Sequence, residues 1–407
     1  MKHIIILGDG MADEPIAALG NKTPLQAANK PAIDKIAALG QNGMLSTIPA
    51  GFAPGSEIAN LSVLGYDVAE VFEGRGSLEA ASMGVPIAAG EMAMRCNLIC
   101  IENDKIKNHS AGHISNEEAA ELIDFLNNEL VGVEHLRPNM KFHAGVSYRH
   151  LFIMKGGNKK LICTPPHDVP GTPFRDVMIR AAAPEAEETA KILNDLTLRS
   201  QALLENHPVN IKRRAAGKDP ANSIWLWSPG YKPQMKTMPE IYGFASGAVI
   251  SAVDLIKGIG VYAGLQPIEV EGATGLYNTN YEGKAQAAIE ALRTHNFVYL
   301  HIEASDEAGH EGDVDLKVRT IEYLDSRIVK PIFEEVSKWN EPVAIAILPD
   351  HPTPCVLRTH TSNAVPFIIY KRGAQPDSVQ QYDEFSAQNG SFGHITGKDF
   401  IEEFLKN

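Results

Sequence analysis

Asp306 and His310 stand four residues apart in "ASDEAGHEGD" (304–313), where four carboxylates surround one histidine. On one helical turn the two side chains share a face. A carboxylate and an imidazole so placed can grip one divalent ion. Read alone, the stretch is a solvated helix start with a capping Asp. Asp350 and His351 lie side by side in "PDHPTP", directly after an apolar run. Neighbours on an extended strand point to opposite faces, and at a strand-to-loop turn they can diverge to serve two ions. His360, in "RTHTSNAVPF", stands just before another apolar run. Singly, each histidine is a surface or satisfied core residue. Together with Asp9 of "GDG" they make three Asp and three His, all beside strand ends. A metal centre is the reading that uses them all.

Ser56, in "APGSEIANLSVLGYD", follows Pro-Gly and opens a helical pattern. A serine at a helix N-terminus sees exposed N–H groups and the positive end of the dipole, which can hold a phosphoryl group. A metal on its hydroxyl would activate it as a nucleophile. The competing role is an N-cap serine, and Ser62 reads as ordinary helix surface. Two metals, a serine and oxygen-rich ligands suit phosphoryl or sulfuryl transfer. There is no G-x-x-x-x-G-K-[ST] loop and no kinase H-R-D set. "GRG" (74–76) is too short for a phosphate loop, and "GIGVYAG" (258–264) reads as close packing.

The elements that must position these residues are apolar throughout rather than alternating. "HIIIL" precedes Asp9; "GAVISAVDLIKGIGVYAG" (247–264), "FVYLHIEA" (297–304), "PVAIAILPD" (342–350) and "AVPFIIYK" (364–371) follow. Helical patterns separate several of them. Buried parallel strands with crossover helices read this way, and their sites form beyond the carboxyl ends of the strands. The predicted fold class is α/β: a mostly parallel sheet with helices on both faces, plus a smaller inserted α+β domain. The insert is placed at residues 92–215, dividing the core into 1–91 and 216–407. Within it, strands at 93–101 and 146–154 flank a helix at 115–130, where Ser115 and Glu118 spell a capping box. A Pro-rich passage (163–174) and a long helix (183–206) follow, and "KRRAAGKDP" (212–220) reads as an exposed connection.

A chain of 407 residues favours two domains. The formal charge of −13 argues against a nucleic-acid or anionic-membrane partner. Four cysteines without a C-x-x-C pair fit a reduced setting. The N-terminal apolar run is too short for a signal segment or a span. A cytoplasmic enzyme is expected.

In this order, "GDGMAD", "GSEIANLSVLGYD", "GRGSLEA", "SDEAGHEGD", "PDHPTP" and "HTSNAVPF" resemble the alkaline-phosphatase superfamily. More closely, they resemble its cofactor-independent phosphoglycerate mutases of the archaeal type. The resemblance implies an alkaline-phosphatase-like core. It also implies one ion on Asp306, His310 and His360, and a second on Asp9, Ser56, Asp350 and His351. Ser56 would be phosphorylated during turnover. Manganese is typical of the family, with zinc, cobalt or magnesium also compatible. The implied reaction is the glycolytic interconversion of 2- and 3-phosphoglycerate, with the insert as a lid that excludes water. The substrate would be a small phosphorylated or hydroxylated carboxylic acid, with Arg75, Arg95, His113, Arg149 and Arg358 as candidates to bind it. One segment departs: "NHSAGHIS" (108–115) has His109 and His113 where the mutases usually carry arginines. "NSIWLW" and "SYRH" resemble a bacterial branch proposed as homoserine kinase, which would need ATP and serve threonine biosynthesis. A plain phosphatase is the third expectation.

Overall fold

The computed structural model of the chain describes residues 1–131 and 139–406. It divides into two compact units, Met1–Phe72 with Gln234–Asn407, and Glu73–Pro233.

The first unit is built on an eight-stranded sheet. Its order is Leu265–Pro267, Gly247–Ile250, Phe297–Ile302, Lys2–Gly8, Val343–Leu348, Val365–Tyr370, Gln41–Ser46 and Gly393–Thr396. Among the described residues only Val365–Tyr370 runs against the others. The central strands are buried on both faces, which is why they read as unbroken apolar runs. Ile4, Ile6, Val298, Leu300, Ile345 and Ile347 are fully buried in one cluster with residues of the helices Pro31–Leu39, Tyr281–Thr294 and Lys330–Val336. Each such side chain contributes about 1.5–3 kcal/mol by leaving water. The other face meets the helix Ser56–Val63, where Tyr299 reaches Asn60.

This topology gathers strand ends. Lys2–Gly8, Phe297–Ile302 and Val343–Leu348 are adjacent and parallel, so Asp9, Glu303 and Asp350 emerge together. Val365–Tyr370 is antiparallel, so its start, with His360 just before it, lies at the same edge. Gln41–Ser46 points the same way as the central strands and feeds the loop that carries Ser56.

The run 247–264 is not one strand. It breaks into Gly247–Ile250 and the helix Asp254–Tyr262, because Ser251 turns back to accept from Val253 N. A Cβ on Gly260 would lie 2.5 Å from Val249 Cγ1, so that glycine does serve close packing. Ser62 is buried rather than exposed; the backbone of Gly397 packs against it so tightly that a Cβ there would clash.

The second unit holds a five-stranded antiparallel sheet around the long strand Glu91–Glu102, which pairs with Lys105–Asn108, Arg149–Lys155 and Ser223–Gly230. Its core gathers Met92, Leu98, Phe152, Leu226 and the helices Asn116–Leu126 and Glu187–Leu204. The boundaries expected at 92 and 215 move outward to 73 and 233. The reason is pairing: Ser223–Gly230 is a full partner of the central strand, and the helix Arg75–Ser82 packs on it. Ser115 and Glu118 form the capping box. The stretch expected as an exposed connection is corrected too. It begins in a helix, Pro208–Ala215, started by Pro208 and by His207 accepting from Val209 N. Arg213 within it is buried, bonded to Glu118 and to the carbonyls of Asp219 and Ala111.

Candidate metal centre and nucleophile

At the gathered edge of the first unit, Asp306 takes a position between two imidazoles. His310 Nε2 is 3.2 Å from its Oδ2 and His360 Nε2 is 3.4 Å from its Oδ1. The two Nε2 atoms are 2.9 Å apart. The i,i+4 spacing works because Ala304–Glu311 is a helix. Arg358 offers its carbonyl to His310 Nδ1 at 3.1 Å; a carbonyl only accepts, so Nδ1 carries the proton and Nε2 turns toward Asp306. Burial opposes charge on Asp306, yet the hydrogen bonds from His310 and His360 hold its carboxyl well below the usual range.

Beside it lies a second group. His351 Nε2 is 3.7 Å from Asp9 Oδ1, 3.6 Å from Asp350 Oδ2 and 3.2 Å from Ser56 Oγ. Ser56 is the first residue of its helix, and Gly55 is the N-cap. The Ser56 hydroxyl therefore does not cap its helix but faces His351. Asn60, one turn on, donates to Asp350 Oδ2 at 2.9 Å and to Ser56 O at 2.8 Å, and accepts from the hydroxyl of Tyr299. Gly10 N and His351 N both donate to Asp350 Oδ1. The rings of His351 and His360 lie 3.9 Å apart, so the two groups adjoin.

The donor set fits divalent ions. Asp306, His351 and His360 offer ligand atoms within 4.8 Å of one another, as do Asp9, Asp350 and His351. Asp9 Oδ1 is buried without a hydrogen-bond partner. Burial, then the charges of Asp350, Asp306 and Glu303, push the Asp9 carboxyl well above its ordinary range. Carboxylates packed so closely are relieved by a cation among them.

These side chains sit in a chain with full-length relatives. A protein of Methanosarcina acetivorans named 2,3-bisphosphoglycerate-independent phosphoglycerate mutase is 52% identical, covering 100% of both chains. The chain belongs to the 2,3-bisphosphoglycerate-independent phosphoglycerate mutase family. The model of that family matches residues 37–210. A member from Geobacter sulfurreducens, named as a probable mutase, is 45% identical over 100% of both chains. Among solved structures, a protein from Pyrococcus horikoshii superposes with TM-score 0.82 at 31% identity, covering 99% of this chain and 96% of its own. The cofactor-independent phosphoglycerate mutase of Thermoplasma acidophilum gives 0.68 at 26% identity, covering 100% and 99%. The α/β fold expected from the sequence is the fold of this mutase family.

The expected substrate residues fall in both units. Arg358 belongs to the first unit, where its guanidinium lies against Gly312 and its carbonyl holds His310. Arg75, Arg95, His113 and Arg149 belong to the second. Arg95 is the organiser there: it pairs with Glu79 at 2.9 Å, lies 4.6 Å over the Trp227 ring, and feels the charges of Arg75 and Arg149. Its Nε is buried without a partner. His109 bridges Tyr148 and His167, whose ring in turn meets Trp227; His113 also packs on Tyr148.

Sequence reasoning passed over His301, Glu303, Asn60, Tyr299 and Thr353. A usable signal existed for the first two: they are the polar residues at alternate positions in an otherwise apolar strand end. Asn60 follows Ser56 at i+4, one helical face.

Among the described residues no helix is long and apolar enough to cross a membrane.

Proposed function

We propose that this chain interconverts 2- and 3-phosphoglycerate through a phosphoserine at Ser56, a glycolytic isomerisation that needs no ATP. The observation that carries the proposal is Ser56 Oγ, 3.2 Å from His351 Nε2, among Asp9 and Asp350. Family membership and the mutase names of full-length relatives support it.

Asp306, His310 and His360 would hold one ion, and Asp9, Ser56, Asp350 and His351 the other, with manganese the first candidate and zinc, cobalt or magnesium compatible. Bound there, such ions supply charge neutralisation for the transferring phosphoryl group and lower the serine's pKa. Ser56 Oγ gives up its proton and forms a bond to phosphorus as the ester bond to one glycerate oxygen breaks, and that oxygen takes up a proton. The glycerate then turns, and its other hydroxyl loses a proton and takes the phosphoryl group back as the Ser56–phosphorus bond breaks and Oγ is reprotonated. Asn60 and Gly10 hold Asp350 still while this happens. Arg75, Arg95, His113, Arg149 and Arg358 are the candidates to bind the substrate's carboxylate and phosphate.

Phosphorus NMR of the purified protein with manganese and 3-phosphoglycerate, without ATP, tests this. The expected result is 2-phosphoglycerate approaching a fixed ratio. Inorganic phosphate alone would make the protein a phosphatase on this compound. No change, followed by phosphohomoserine once ATP and homoserine are added, would replace the mutase with a kinase.

A further inference from the structure

Thr353 is wholly buried, and each of its polar atoms is engaged. Its N donates to Ala12 O at 3.2 Å, and its carbonyl accepts from Lys317 Nζ at 2.8 Å. Its Oγ1 donates to Asp306 Oδ1 and lies 3.3 Å from His351 Nδ1. Packing fixes the side chain as well. A Cβ on Gly10 would lie 2.6 Å from Oγ1, and a Cβ on Gly309 would lie 2.9 Å from Cγ2. Glycines in "GDG" and "EAGHEG" thus leave the slot that Thr353 fills.

A hydroxyl has one proton to give. A carboxylate only accepts, so that proton points to Asp306 Oδ1, and Oγ1 meets His351 Nδ1 with a lone pair. Nδ1 is therefore the protonated nitrogen of His351. Its Nε2 presents a lone pair to the side where Ser56 Oγ lies at 3.2 Å, Asp350 Oδ2 at 3.6 Å and Asp9 Oδ1 at 3.7 Å. Asp306, on the other side of the hydroxyl, stands with His310 and His360. One hydroxyl thus touches a member of each of the two adjoining groups.

We propose that Thr353 is a positioning residue for both halves of the metal centre, its one hydroxyl setting the carboxylate of Asp306 and the tautomer of His351 together. The inference rests on the reading above that assigns Asp306 and His351 to two adjoining ions. Metal-binding histidines are commonly oriented through their other ring nitrogen, and ligating carboxylates are in turn hydrogen-bonded. Here one side chain does both. The competing role is that of a filler, in which the γ-methyl against Gly309 matters and the hydroxyl does not. The two roles predict opposite orders for two variants. Thr353→Val keeps the shape and removes the hydroxyl; Thr353→Ser keeps the hydroxyl and removes the methyl.

Manganese alone is the probe. The whole protein, freed of metal, is titrated with Mn2+ while electron paramagnetic resonance follows the free ion. In Thr353→Val both binding steps should weaken by about tenfold to a hundredfold, the scale of lost ligand support, while Thr353→Ser stays close to the parent. The reverse order overturns the proposal, and so does weakening of one step alone. A second readout uses the metal-free protein. Nitrogen NMR of isotope-labelled imidazoles, with His351 assigned from its absence in His351→Gln, should show Nδ1–H in the parent and in Thr353→Ser, and a changed tautomer balance in Thr353→Val. A parent His351 protonated on Nε2 overturns the proposal. If Thr353→Val fails to fold by circular dichroism, Thr353→Ala is compared with Thr353→Ser, which differs from it by the hydroxyl; equal Mn2+ binding by the two overturns the proposal. A parent that takes up no Mn2+ overturns the metal assignment and the proposal with it, whereas parental Mn2+ binding retained in Thr353→Val overturns the proposal alone.

Discussion

Lys317 Nζ, wholly buried, lies 2.9 Å from Asp13 Oδ2, itself wholly buried. The same ammonium donates to the carbonyls of Ala12 and Thr353, at 3.1 and 2.8 Å. Asp13 Oδ2 also accepts from Cys355 N. One ion pair thus ties "GDGMAD" to "PDHPTP" from the helix Val314–Tyr323. Thr353 in turn donates to Asp306 Oδ1. Lys317→Met would leave a buried carboxylate without a counter-charge, a loss of about 3–5 kcal/mol. Urea unfolding measures it. Lys317→Met with Asp13→Asn should recover part of the loss; if the double variant is no better than the sum of the singles, the pair is not coupled.

Ser56→Ala should abolish phosphoryl transfer while leaving stability within about 0.5 kcal/mol, because the hydroxyl caps nothing. Asp9, Asp350 and His351 remain as ligands, so most bound manganese should stay. Phosphorus NMR and metal content read the two effects separately. Full activity in the variant would remove Ser56 from the mechanism.

Gly10 has φ +61°, and a Cβ there would lie 2.5 Å from Asp306 Oδ1 and 2.6 Å from Thr353 Oγ1. Gly10→Ala therefore carries both a left-handed backbone penalty and a displaced metal ligand. Manganese affinity should fall by about tenfold to a hundredfold, the scale of disturbed ligand support. Calorimetric titration checks this, and an unaltered affinity would mean Asp306 moves without consequence.

What was legible in the sequence follows from the sheet. A strand buried on both faces reads as an apolar run, and an acid at its end stands out; hence Asp9 and Asp350 were visible. The i,i+4 spacing of Asp306 and His310 was visible for the same kind of local reason. His301 left only its alternation with Glu303 as a sign, because it is pairing with Lys2–Gly8 that sets it beside Asp9. Asn60 required knowing which face of its helix meets Tyr299. Arg213 looked solvated in a basic run, and its burial depends on Glu118, far away in the chain. The edges of the compact second unit were not legible to the residue, because strand partnership between Glu91–Glu102 and Ser223–Gly230 leaves no local mark.

The second unit should show an acid limb of its own. His150 is 1% exposed, its Nδ1 accepts from Gly145 N at 3.0 Å, and its Nε2 is buried without a partner. Burial lowers its pKa from 6.5 to about 3. The unfolded chain thus binds a proton that the folded chain refuses, so stability rises with pH across that window. The contribution is complete above pH 6.5 and is lost as pH falls from there toward 3, at about 1.4 kcal/mol per pH unit. His150→Asn keeps an acceptor for Gly145 but no titratable ring, so its unfolding midpoint should vary less between pH 4 and 6.5. Fluorescence dominated by Trp225 and Trp227, both in the strand Ser223–Gly230, follows this unit. Parallel pH curves for variant and parent would place the acid sensitivity elsewhere.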